Sequence, residues 1–241
     1  YEISLGLVGS EMCIRDRLSA TMPFTAKAQD KVEASVGADF VSNYIWRGTD
    51  CGGVSIQPSM GVSYKGLSLT AWGSVGIDKE DAREIDLTLG YNTGGFSVSV
   101  TDYWFSYHKE DGGYTGDYFK YGAHSTVHIF EATLGYDFGP LALSWNTYFA
   151  GDDYTKENGD RAYSTYVGIS APFKLGGLDW SAEVGLTPWE GAYANKFNVT
   201  NLTLKAEKEI KFTNSFSLPT FAQVTFNPHT QGAYFVFGVS F

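Results

Sequence analysis

Five carboxylates, Asp39, Asp86, Glu131, Glu183 and Glu207, and one amine, Lys205, fall on the polar side of segments in which apolar and polar residues alternate. Groups spaced by two in extended chain project from a single face, so these charges gather on one surface near the middle of their segments. Their chemistry is electrostatic: rings of charge in a narrow passage select among ions. Gln57, Trp72, Tyr103 and Gln223 share that height and face. Arg47 follows Trp46 and by parity points into the mouth of the same space. There its guanidinium either grips an anion bidentately or pairs with a nearby carboxylate such as Asp50. A filled interior, in which the carboxylates pair with Lys205 and Arg47, is the open alternative.

Covalent catalysis is not indicated. A nucleophile needs a base and an orienting group at fixed geometry, and the histidines His108, His124, His128 and His229 are scattered over connecting segments. Outer-membrane phospholipases do use an outward Ser–His pair on a twelve-stranded barrel, so a hydrolase stands as a distant third reading. His124 and His128 lack a companion at metal-site spacing. No enzyme, metal or cofactor is expected, and no basic patch or phosphate loop suggests nucleic acid. The net charge of −10 argues the same way.

The elements that must position these residues have a two-residue period. Leu67, Leu69, Ala71, Val75 and Ile77 share one face, and Ser68, Thr70, Trp72 and Ser74 the other. The pattern recurs in about twelve segments: 32–46, 55–65, 67–78, 83–93, 96–108, 128–138, 141–151, 162–174, 178–189, 197–213, 216–226 and 232–241. Each has the roughly 9–11 residues or more that a tilted membrane strand requires, and no apolar run nears the ~20 of a spanning helix.

Connections alternate short (65–66, 93–95, 139–140, 175–177, 213–215) and mostly longer (47–54, 78–82, 109–127, 152–161, 190–196, 227–231). Short turns on one rim and longer loops on the other predict an all-β fold, a transmembrane antiparallel up-and-down β-barrel of about twelve strands in a bacterial outer membrane. Tyr64, Tyr91, Phe96, Phe138, Phe173, Trp180, Phe212, Phe216 and Phe241 fall on the apolar face at the short-turn end, where a lipid–water boundary favours rings. Tyr44, Trp46 and Trp104 are expected at the other rim. Pro58 and Pro219 each remove a ladder donor, so a bulge or strand end is expected at both. Outward Asp102 and Lys208 fit the phase poorly. The aromatic-rich 108–128 loop is expected to fold inward onto a solute or to pack on itself.

Residues 1–17 resemble a translated sequencing adapter, since Leu7 to Asp16 back-translates as CTC GTG GGC TCG GAG ATG TGT ATA AGA GAC. Cys13 lies within this stretch, so a Cys13–Cys51 disulfide is not expected. Residues 18–28 end in Ala26-Lys-Ala28, the small-x-small pattern that precedes signal-peptidase cleavage, and read as the remnant of a signal peptide. The barrel is then expected over 29–241.

Ser42-Asn-Tyr-Ile-Trp-Arg-Gly48, then Gln57-Pro58 and Ala71-Trp-Gly-Ser74, resemble the motif of TorF-family porins, a group of Gram-negative outer-membrane β-barrels. The resemblance covers about the first quarter of the mature chain and implies export and a pore. Terminal Phe241 resembles the signal read by the barrel-assembly machinery. The expected partners are therefore outer-membrane lipids, that machinery and small polar solutes. The expected function is passive diffusion of such solutes with a preference for cations, and the rival is a non-channel barrel that anchors surface loops as an adhesin, receptor or structural protein.

Overall fold

The computed structural model describes residues 31–79, 81–109, 113–123, 125–213 and 216–241. The adapter-like segment 1–17 and the signal remnant 18–28 lie outside the described residues, as does His124. Strands run β1 (Glu33–Val41), β2 (Tyr44–Trp46), β3 (Thr49–Gly52), β4 (Ser55–Tyr64), β5 (Leu67–Gly76), β6 (Arg83–Thr93) and β7 (Phe96–Ser106). They continue as β8 (Ile129–Asp137), β9 (Ala142–Gly151), β10 (Thr165–Leu175), β11 (Leu178–Thr187), β12 (Asn198–Lys211), β13 (Ser217–Asn227) and β14 (Gly232–Ser240).

Twelve of these close into one antiparallel barrel, β1 and β4 to β14, each paired with its neighbours in sequence. The seam is the pairing of Asp39 with Ser240 through Val41 with Gly238, extended by a reciprocal backbone pair between Ala38 and Phe241. Closure leaves no row of unpaired N–H and C=O groups facing lipid.

Alternation assigns the two surfaces. On β6, Ile85, Leu87, Leu89 and Tyr91 are exposed on the outer wall, whereas Glu84, Asp86 and Asn92 are buried inside. Tyr64, Tyr91, Phe96, Phe138, Phe173, Phe212, Phe216 and Phe241 are exposed at the short-turn rim. This polar-in, apolar-out closed wall with an aromatic girdle is the architecture of a bacterial outer-membrane barrel. The tight turn Lys65-Gly66 has both residues at positive φ, 50° and 87°, as a two-residue hairpin turn matching strand twist requires.

Three sequence expectations need correction. The segment 32–46 is not one strand: β1 stops at Val41, and Tyr44–Trp46 pairs with Thr49–Gly52 in a separate two-stranded sheet. Tyr44 and Trp46 consequently leave the outer belt, because the hairpin carries both rings into the barrel mouth. Pro58 causes no bulge. Its strand keeps register with β1 and resumes the same register with β5 at Ser59 opposite Trp72, so the missing donor only interrupts that ladder. Register shifts fall instead at Phe130/Glu131 and Gly185/Leu186. Pro219 likewise makes neither a bulge nor a strand end: it is the third residue of β13, in register opposite Glu209 of β12, and the β14 ladder begins after it at Thr220.

The outer wall gives a direct test. Leu89→Arg should destabilise the barrel in lipid vesicles by about 2–4 kcal/mol, read by denaturant unfolding, because it places a guanidinium at mid-strand in hydrocarbon. Equal stability of variant and parent would show that this face does not meet lipid.

Candidate functional site

The hairpin 43–54 folds inward across the lumen. Its turn is Arg47-Gly48, with φ of 50° and 80°, the same two-residue geometry as the Lys65-Gly66 turn. A left-handed conformation costs a non-glycine residue roughly 1–2 kcal/mol, so the surroundings of Arg47 must hold it there. Gly48 touches the far wall so closely that a Cβ would sit 1.9 Å from the Thr200 carbonyl oxygen. The Asn227 side-chain amide donates to the Gly48 carbonyl at 3.0 Å. At the hairpin base, the Gly53 N–H donates to Asp81 Oδ1 at 3.1 Å.

From this tip Arg47 reaches across to β8. Its Nη1 and Nη2 donate to Glu131 Oε2 and Oε1 at 2.6 and 2.9 Å, and both side chains are almost wholly buried. Tyr103 donates to Glu131 at 2.9 Å, and Arg47 Nη1 donates to the Tyr193 hydroxyl at 2.6 Å. The guanidinium carbon lies 4.3 Å from the Trp46 ring and 4.8 Å from the Tyr166 ring. Burial pushes the phenol of Tyr193, in the loop after β11, up to about 12. It therefore stays neutral and donates onward to Tyr148 at 3.1 Å. This is a bidentate ion pair inside an aromatic cage, and it decides the mouth reading: Arg47 meets a wall carboxylate, not Asp50.

Beneath the hairpin lies a cavity of about 280 Å³. Arg47, Trp72, Asp86, Tyr103, Glu183 and Lys205 all line it, as the sequence places them, together with serines, threonines and amides of the inner wall. Glu131, Asp39 and Glu207 do not line it. Glu131 is sealed by Arg47, Asp39 accepts from the Ser240 hydroxyl at the seam, and Glu207 pairs with Lys205. Lys205 also stands 4.7 Å from the Phe221 ring. Glu183 accepts from the Tyr166 hydroxyl at 2.5 Å and from the Asn201 amide at 3.0 Å. Glu84, Tyr148, Tyr166 and Asn201 also belong to the buried interior, beyond the candidates that the sequence alone supplies. Inward parity marks Glu84 two residues before Asp86, whereas Tyr193, in a loop, carries no strand parity.

The described residues of the 108–128 loop pack at the outer rim around Asp102 and do not line the cavity. His128, fully buried, bonds Asp102 Oδ1 at 2.6 Å through Nδ1 and the Tyr118 carbonyl at 2.7 Å through Nε2. Tyr121 lies over His128 with centroids 4.3 Å apart, and its hydroxyl donates to Asp102 at 3.3 Å. The poorly phased outward Asp102 is thus the anchor of the loop. Both nitrogens of His128 are occupied, which leaves none for a nucleophile. Lys208 pairs opposite Thr220, near the end of the β14 ladder. Among the described residues no three His, Cys, Asp or Glu side chains are grouped to hold a metal ion.

The sequence matches no family profile and no curated protein sequence. Among solved structures it is similar to BamA from Haemophilus ducreyi lacking POTRA domains 1–3. The identity is 13%, the TM-score 0.38, and the match covers 81% of this chain and 41% of that one. It is also similar to CdiB from Acinetobacter baumannii, at 13% identity and TM-score 0.40, over 88% of this chain and 60% of that one. The chain thus spans less than two thirds of either protein.

Glu131→Gln should cost about 3–5 kcal/mol in denaturant unfolding, because it leaves a buried guanidinium without its counter-charge. Adding Arg47→Met should recover part of that loss, and strictly additive effects in this double-mutant cycle would show that the pair is not coupled.

Proposed function

We propose that this barrel is an outer-membrane channel for passive diffusion of small polar solutes, preferring cations and narrowed by the 43–54 hairpin. The observation that carries this reading is the polar-lined cavity inside the closed wall and the charge left in it. Arg47 is matched by Glu131 and Lys205 by Glu207, and Asp86 adds a further carboxylate to the lining. A negative potential in a narrow, low-dielectric passage draws cations in and repels anions.

The resemblance to TorF-family porins is consistent with this function, and recognition of Phe241 by the barrel-assembly machinery belongs to the same reading. The rival is a non-channel barrel whose loops do the work at the surface. The buried Arg47–Glu131 pair favours it, because a locked hairpin obstructs the mouth. Breaking that pair leaves an uncompensated buried charge, so the hairpin resists displacement.

Planar-bilayer recording separates the two. The channel predicts small discrete conductance steps and a reversal potential favouring cations, most strongly at low ionic strength where screening is weakest. Gly48→Ala, whose Cβ has no room beside Thr200, should unseat the tip and raise unit conductance severalfold in a barrel that still resists unboiled gel denaturation. A tight bilayer with folded parent and variant alike would establish the rival.

A further inference from the structure

Asp86 stands in the centre of a row that crosses three neighbouring strands. Its register partner on β5 is Trp72, and its register partner on β7 is Tyr103. The inward hairpin adds a second tier. Tyr44 meets Trp72 with ring centroids 5.5 Å apart, and Trp46 meets Tyr103 at 5.7 Å. All four rings and Asp86 line the cavity. Asp86 is 9% exposed, and its Oδ1 is buried without a hydrogen-bond partner. Glu84, two residues earlier on the same inward face of β6, is buried beside it.

We propose that Asp86, enclosed by Trp72, Tyr103, Tyr44 and Trp46, is a binding site for small organic ammonium cations. The reading rests on the lumen being open to solutes, as argued above. Aromatic faces attract cations through their quadrupole, and a carboxylate supplies the full counter-charge. This combination suits a weakly hydrated ammonium with alkyl substituents, whose methyl groups pack on rings. It does not suit a metal ion, which needs several oxygen ligands to replace its water. Arg47 occupies one face of Trp46, but its charge is met by Glu131. The unpartnered oxygen of Asp86 is where an N–H donor or a cationic methyl surface would settle.

The test uses the full chain folded in detergent and saturation-transfer NMR on the methyl protons of tetramethylammonium. The neutral tert-butanol serves as a control of similar shape. Saturable binding of tetramethylammonium, at least tenfold tighter than that of tert-butanol and weakened at least tenfold by Asp86→Asn, is the expected result. Trp72→Leu should weaken binding similarly, with Trp72→Phe largely restoring it, and this pair decides the matter if Asp86→Asn does not fold. Equal binding of the two probes, or of Trp72→Leu and Trp72→Phe, overturns the site. Because binding is read without a membrane, a tight bilayer alongside Asp86-dependent binding would remove the channel and leave the site standing.

Discussion

Hydrocarbon offers no hydrogen-bond partner to a peptide group, and this constraint governs the whole molecule. Every strand must be paired along both edges, so the sheet has to close, and here it closes through the few rungs that join Asp39–Val41 to Gly238–Ser240. Once the wall is closed, alternation does the rest. Residues such as Leu87 and Leu89 face lipid, and Asp86 and Thr88 between and beside them face inward. The apolar exterior that would be an aggregation hazard in water is the surface lipid requires.

A closed wall of this size leaves an interior too wide for its own side chains to fill. The chain resolves this by sending the hairpin 43–54 across the mouth. Its backbone is compatible with the task because a positive-φ turn reverses it in two residues, and because Gly48 allows backbone to meet backbone at Thr200. The Arg47–Glu131 pair then fixes the hairpin against the opposite side. A buried ion pair adds little net stability over a well-packed apolar contact, but it is specific: the bidentate geometry is satisfied in one position only. The surrounding tyrosines complete the hydrogen bonds of both ions.

The outer rim repeats the logic with other residues. Asp102 would be costly on a lipid-facing surface by itself, and the loop supplies His128, Tyr118 and Tyr121 to cover it. Two charged groups, Arg47 and Asp102, are thus the points at which long connections are tied to the barrel, one inside and one outside.

What the sequence determined by itself was the wall. A two-residue period is a local property, so strand number, inward and outward faces, the alternation of short and long connections and the aromatic girdle were all legible. So was the inward placement of Asp86, Glu131, Glu183, Lys205, Trp72 and Tyr103. What only the tertiary structure decided was pairing at a distance. Parity says that Arg47 and Glu131 point inward, but across a sequence separation of 84 nothing records that the two meet. Asp50, the nearby carboxylate offered as one alternative, is not the one used. Tyr44 and Trp46 read as outward because alternation was continued past Val41, where the chain leaves the wall. A Lys-Gly and an Arg-Gly dipeptide make the same turn in this chain, one at the short-turn rim and one inside the mouth. Local sequence specifies the turn, but the direction in which its hairpin folds depends on whether the space beside it can bury two aromatic rings and neutralise an arginine. That space exists only once the barrel has closed.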